Sequence, residues 1–345
     1  MEYTTLPTTD IKVSKLCLGT MTFGNQNTEA ESHAQMDLAV ERGINFFDTA
    51  ELYPVPATAQ TYADTERIMG KWFKKTGKRE EIVLASKIAG PGAYTAHIRD
   101  HENYSPKHLR EALDNSLKRL HTDYLDLYQL HWPERKTNFF GVRGYITKPD
   151  HSAWEDNFEE ILQTLSDLIK EGKIKHIGLS NETPWGLMRA TELSKKGLPK
   201  MITVQNPYNL LNRLFEVGNA EICLREEMGL LAYSPLGFGR LTGKYRKEMP
   251  EKSRFKLFPN LARFNGENSI RATEEYYKLA QEFDISLTHL ALAFVTSRPF
   301  VTSNILGATS VTQLEENINS ISVSLSKDIL KEIDRIQELI PNPAP

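Results

Sequence analysis

Ile82-Val83-Leu84-Ala85-Ser86-Lys87 and Leu125-Asp126-Leu127-Tyr128-Gln129-Leu130-His131 are the two stretches on which the fold turns. Each is a short run of apolar or β-favouring residues that stops at an ionisable side chain. Between them Ser105-Pro106 opens a helical pattern, an N-cap residue followed by proline at the first helical position. A short apolar run, a helix and a second short run make the repeating unit of a parallel sheet. The unit recurs in both directions. Upstream, Leu16-Cys17-Leu18-Gly19 precedes a helix over residues 28–42, where Thr28 and Glu31 have capping-box spacing and Gly43 is the stop. Ile44-Asn45-Phe46-Phe47-Asp48 leads through a Pro-rich loop to a helix over 63–75, closed by Gly77. Downstream, strands are expected at 174–180, 201–205, 230–234 and 303–306. The helices expected beside them cover 158–170, from 184, 215–226, 268–283 and 312–319, and a last amphipathic helix covers 327–339.

Eight such units with no linker predict an α/β fold, a (β/α)8 TIM barrel in one domain over 1–345. Residues 4–15, turning at Thr9-Asp10, are expected to form an N-terminal β-hairpin that closes the barrel bottom, and the final helix is an addition at the C-terminus. A doubly wound open sheet would need a dinucleotide fingerprint early in the chain, and none is there.

Composition narrows the function. The 345 residues carry 42 Lys plus Arg against 45 Asp plus Glu, a net charge of -3, which gives no support for nucleic acid or a membrane surface as partner. Two cysteines, Cys17 and Cys223, exclude a disulfide framework and a cysteine-rich zinc site. The N-terminus has no basic n-region or apolar run, and no apolar stretch approaches about 18 residues, so a cytoplasmic location is expected.

In this barrel type the chemistry sits at the carboxyl ends of the strands. Asp48, Lys87 and His131 end strands two, three and four of the barrel, and Tyr53 follows Asp48 in a short loop over the same face. A phenol has a pKa of about 10, and an adjacent ammonium favours its phenolate and lowers that value. Asp48 can hold the ammonium, and His131 can donate to an oxygen that becomes negative. The set suits protonation of a carbonyl oxygen while another agent attacks the carbon. It lacks the Ser or Cys beside an oriented His of a hydrolase. Singly, each residue also reads as an ion pair, a cap or packing. Their convergence on adjacent strand ends points to a shared site.

A cofactor would supply the other agent. The loop from Tyr233 carries Gly237, Gly239 and Gly243 with Arg240 and Lys244, allowing close backbone approach and positive charge, although its spacing matches neither the Rossmann nor the P-loop pattern. Ser180, Asn181 and Gln205 end strands five and six and could hydrogen-bond a carboxamide, and Tyr233 could stack on a flat ring.

Asp48-Thr49-Ala50-Glu51-Leu52-Tyr53, Ala85-Ser86-Lys87, Leu125 through Trp132, Ile177-Gly178-Leu179-Ser180-Asn181, Tyr233-Ser234-Pro235-Leu236-Gly237 and Gly307-Ala308-Thr309 through Glu316-Asn317 resemble the aldo-keto reductase superfamily, in order and over nearly the whole chain. Met21-Thr22-Phe23-Gly24 and Asn206 to Arg213 are similar to its Tas-like branch. The resemblance implies an NADPH-dependent (NADPH/NADP+) carbonyl reductase with Tyr53 as proton donor and Asp48, Lys87 and His131 completing a tetrad. It implies Gly19, Thr20, Met21, Ser180, Asn181, Gln205 and Tyr233 around the nicotinamide. Ser234, Pro235, Leu236, Gly237, Gly239, Arg240, Leu241, Thr242, Gly243 and Lys244 would wrap the pyrophosphate. Gly307, Ala308, Thr309, Ser310, Gln313, Glu316 and Asn317 would meet the adenosine end. Many relatives place Lys and Arg at the 2′-phosphate where this chain has Gly307 and Gln313. That resembles the branch of the potassium-channel β-subunits, which still bind NADP, and Arg254 or Arg263 would supply the missing charge.

Phe23, Trp132, Phe139, Phe140 and Tyr145 are expected to wall an aromatic pocket for a small aldehyde or ketone. His97, Asp100 and His101 fit no zinc spacing and read as solvated loop residues, so no metal is expected. Two rivals remain: an aldolase using Lys87 as a Schiff-base amine, and an NADP-binding redox-sensing module with little turnover.

Overall fold

The computed structural model describes residues 1–99, 103–142, 144, 145 and 154–344. Strands β1 (Tyr3–Thr5) and β2 (Lys12–Ser14) pair antiparallel, and the turn between them is held by Thr9, whose Oγ1 donates to Leu6 O. β3 (Leu16–Gly19), β4 (Phe46–Asp48), β5 (Val83–Ile88), β6 (Leu125–Leu130), β7 (Ile174–Ser180), β8 (Met201–Pro207), β9 (Gly229–Tyr233) and β10 (Val301–Leu306) close into a parallel barrel in sequence order.

Helices α1 (Glu29–Glu41), α2 (Asp64–Thr76), α3 (Pro106–Leu120), α4 (Phe158–Lys170), α5 (Pro184–Ser194), α6 (Asn219–Arg225), α7 (Arg254–Leu257), α8 (Glu267–Glu282), α9 (Leu287–Thr296) and α10 (Val311–Asn319) connect the strands, and α11 (Lys327–Leu339) follows the barrel. The caps explain many of the starts. Thr28 and Glu31 form a capping box, and Ser105, Ser286, Ser310 and Ser326 each accept the N–H three residues on.

The barrel is filled in layers. At the N-terminal end Cys17, Phe46, Val83, Ala85, Leu127, Ile202, Leu231 and Ile305 form one apolar cluster, which Leu6 and Val13 of the hairpin seal from below. A larger cluster lies between the strands and the helices outside them.

Three elements differ from the sequence reading, one of them the four-residue α7, which stands where none was expected. The helix expected over 215–226 is a 3-10 turn at Leu214–Val217 followed by α6, broken at Gly218. A Cβ at Gly218 would lie 3.0 Å from Pro184 Cγ, so the chain there stays close against the start of α5. α9 stands where no element was expected. Its run of leucines and alanines is buried on nearly every face, so it lacks the one-sided periodicity by which a surface helix is recognised.

Candidate active site

Asp48 and Lys87 face the barrel interior two residues above the apolar layer, because side chains alternate along each strand. The Lys87 ammonium, fully buried, donates to Asp48 Oδ2 at 2.6 Å, to Thr49 O at 2.8 Å and to Tyr53 Oη at 3.3 Å. All three of its donors are thus used. Asp48 Oδ1 accepts from Gln205 Nε2 at 2.8 Å and Gln129 Nε2 at 3.2 Å. His131 sets its ring edge toward Tyr53, with ring centroids 5.6 Å apart.

The electrostatics follow from burial. Burial opposes charge on Lys87, but Asp48 and then Tyr53 outweigh it, so the amine stays cationic with its pKa raised. Burial raises the Tyr53 phenol, and Lys87 only partly offsets this, helped by Arg254 and opposed by Asp48. The lowering expected from the lysine alone is therefore overturned: desolvation is the larger effect. The phenol stays protonated, and because Lys87 donates to its oxygen, its own proton remains available to another acceptor. Burial first, and Lys87 second, push His131 well below the usual imidazole value, so the ring is neutral at pH 7.

Above these residues opens a cavity of about 830 Å³. Gly19, Thr20, Met21, Ser180, Asn181, Gln205, Tyr233, Ser234, Pro235, Leu236, Gly239, Thr242, Lys244, Arg254 and Arg263 line it, and Gly307, Ala308, Thr309, Gln313, Glu316 and Asn317 line its far end. Several of the polar groups are tied to each other. Tyr233 Oη donates to Asn181 Oδ1 at 2.6 Å, Asn181 Nδ2 donates to His131 O at 2.9 Å, and Ser180 Oγ donates to Gln205 O at 2.9 Å.

Gly237, Arg240, Leu241 and Gly243 are not on the cavity wall. Phe238 and Gly239 take left-handed backbone angles that kink the segment and turn Arg240 inward. Its guanidinium donates to Phe264 O at 3.2 Å and to Asn265 Oδ1, over the rings of Tyr245 and Phe255. Lys244 does reach the cavity, beside Arg254. Burial and then Arg254 lower the Lys244 amine, and burial pulls Arg254 down to about 10. Among the described residues neither forms an ion pair. Two mutually repelling cations in a cleft, Lys244 exposed and Arg254 partly buried, make a receptor for an anion.

Trp132 lines the cavity with Tyr94 and Phe140, and its Nε1 donates to Pro91 O at 3.0 Å. Phe23 does not: it is a core residue beneath α2, with Thr65 Oγ1 donating to its carbonyl. Phe139 packs edge-on against Phe140 and, like Tyr145, lines a neighbouring cavity. His97 is exposed, edge-on to Tyr62, while Asp100 and His101 lie outside the described residues. Among the described residues no group of three or more His, Cys, Asp or Glu could hold a metal ion.

Two contributors were missed in the sequence. Gln129 is buried beside Asp48, and the signal was there: it shares the inward face of β6 with Leu127, two residues away. Glu51 is fully buried. Its N–H donates to Lys87 O at 3.2 Å, and its carboxylate accepts from Ala89 N at 2.6 Å and from Arg99. It thereby fastens the Tyr53 loop to the strand that carries Lys87, and no local pattern marks it.

Comparison with known proteins agrees with this architecture. The profile of the Aldo/keto reductase family matches residues 15–338. The chain is 46% identical over its whole length to protein tas of Escherichia coli strain K12, all of which is covered. It is 33% identical to the uncharacterized oxidoreductase YrpG of Bacillus subtilis strain 168, over 99% of this chain and 97% of that protein. It is 31% identical to a probable voltage-gated potassium channel subunit beta of Arabidopsis thaliana, over 99% of this chain and 98% of that protein. The chain belongs to the aldo/keto reductase family, and it is an oxidoreductase.

Proposed function

We propose that the protein is a cytoplasmic NADPH-dependent reductase of aldehydes and ketones in which Tyr53 is the proton donor. The observation that carries this reading is the Asp48–Lys87–Tyr53 chain, with its buried ammonium 2.6 Å from the carboxylate and 3.3 Å from the phenol oxygen. Support for a dinucleotide in the cavity is that it runs from Tyr53 to Gly307–Asn317, and that Lys244 and Arg254, neither in an ion pair among the described residues, stand near one another in its wall. Ser180, Asn181 and Gln205 would bind the nicotinamide amide, Tyr233 would stack on its ring, and Lys244 and Arg254 would meet phosphate oxygens. When bound, the cofactor supplies the hydride.

The rest falls to this chain. Neutral His131 and the Tyr53 hydroxyl orient the carbonyl oxygen, Trp132 and Tyr94 exclude water above it, and the phenol gives up its proton as charge builds on that oxygen. Lys87 then stabilises the phenolate, and Asp48 with its two amide donors keeps the ammonium in place.

The test is NADPH oxidation with 4-nitrobenzaldehyde, wild type against Tyr53→Phe. The expected result is a loss of roughly 10²–10⁴-fold in turnover with little change in cofactor affinity. Undiminished turnover in the variant would refute the assignment. Tight NADPH binding with negligible reduction of any aldehyde by the wild type would favour a redox-sensing module, the reading that the channel-subunit relative invites.

A further inference from the structure

Beside the catalytic cavity lies a second one of about 1290 Å³. The two share Phe140, Asn181 and Arg263, so they adjoin at the site's aromatic rim. Phe140, Val142, Tyr145, Trp185, Leu214 and Val217, all large, apolar and exposed, line this second space, and Val217 is 80% exposed. Exposed apolar side chains gathered round a concavity next to an active site mark a surface that something apolar covers.

Many of the polar groups in the same walls are spent on the protein itself, whereas Trp154 Nε1 and Asn219 Oδ1 are buried there without a partner. Arg135 is paired with Glu182 and also donates to Thr183 Oγ1 at 3.0 Å. Asn206 Oδ1 accepts from Glu182 N at 3.0 Å, and its amide donates to Glu182 O at 2.8 Å. Asn212 Oδ1 accepts from Leu214 N, and Asn342 Oδ1 accepts from Arg213 N. What these walls offer a ligand is chiefly contact with apolar surface.

We propose that the substrate is an elongated, uncharged carbonyl compound: its aldehyde or ketone sits at Tyr53, and its apolar body passes Phe140 to lie on Trp185, Leu214 and Val217. This rests on the reductase reading above and adds the substrate class. The break at Gly218, which holds the Leu214–Val217 turn against the start of α5, is what brings Val217 and Trp185 to one wall. The substrate lies there chiefly through desolvation, so its affinity grows with buried length.

The experiment is a series of 4-alkoxybenzaldehydes from methoxy to decyloxy, reduced by NADPH with the wild type, Val217→Asp and Trp185→Ala. In the wild type kcat/KM is expected to rise roughly twofold to fourfold per methylene until the cavity is filled, through KM rather than kcat. Val217→Asp is expected to lower the long members by about tenfold and leave the methoxy compound unchanged, as the desolvation argument requires. A chain ending in carboxylate is expected to bind worse than the alkyl chain. A flat series, a slope that both variants leave intact, or tighter binding of the carboxylate would overturn the proposal. Failure to reduce even the methoxy compound would count against the reductase reading instead. In that case calorimetric binding of decyloxybenzyl alcohol to the NADP+-loaded protein still decides the subsite: weakened by Val217→Asp it stands, and absent in the wild type it falls.

Discussion

The two ends of the barrel are built from the same strands and differ by two residues on each. Phe46 and Asp48 share the inner face of β4, Ala85 and Lys87 that of β5, and Leu127 and Gln129 that of β6. The lower members pack on each other and on the hairpin residues Leu6 and Val13. The upper members form a hydrogen-bonded set in which a buried carboxylate, a buried ammonium and two amides satisfy one another. A closed apolar layer is stable by exclusion of water. The polar layer one step above it is affordable because its charges pair and its amides bond the carboxylate, although His131 Nδ1 is buried there without a partner, and it is there that burial keeps a phenol protonated and an imidazole neutral.

The sharpest way to break this comparison is one substitution in each layer. Lys87→Met is expected to lower turnover by about 10²–10⁴-fold and to cost about 3–5 kcal/mol of stability, since Asp48 is left buried without its counter-ion. Leu127→Ala is expected to cost a similar 2–5 kcal/mol through its cavity, with kcat of the folded protein unchanged. Denaturant unfolding and NADPH oxidation on both variants separate the cases. An equal kinetic loss in Leu127→Ala would erase the distinction between the layers.

A smaller effect comes from pH. The folded pKa of His131 lies below its unfolded value of about 6.5. Below that pH the unfolded chain takes up a proton that the folded site refuses, so stability falls as pH drops through 6.5, by up to about 1.4 kcal/mol per unit for this group. Above it the group contributes no slope. Urea unfolding at pH 7 and pH 5 is expected to show this fall, and His131→Gln is expected to reduce it. An unchanged slope in the variant would mean that the imidazole is not desolvated.

The smallest effect is expected beside Lys244 and Arg254. Arg254→Ala is expected to weaken NADPH by roughly tenfold, about 1.4 kcal/mol, and NADH by less if the guanidinium meets the 2′-phosphate. Arg240→Lys is expected to change neither dissociation constant, because that side chain points into the protein. Equal losses for both nucleotides would move Arg254 to the pyrophosphate.

The barrel itself was legible in the chain. Strand alternation, Thr28 with Glu31, Ser105-Pro106 and Pro184 fix local structure over a few residues, and parallel order follows from the strand–helix rhythm. The ionisable residues at the strand ends were legible for the same reason: a two-residue period states which side chains share a face. α9 was illegible because complete burial removes periodicity, and Phe23 was misread because nothing local separates a core aromatic from a pocket wall.

The amino-acid order alone thus determined the eight barrel strands, most of the helices beside them, their sequence around the barrel and the convergence of Asp48, Lys87, Tyr53 and His131 at one end. Tertiary structure alone decided that Lys244 and Arg254 face the cavity while Arg240 turns away, that Glu51 clamps the strand that carries Lys87, and that the phenol's pKa moves up. These depend on loop paths without periodicity and on how much water a folded environment removes. Both are properties of packing in space, which no spacing along the chain encodes.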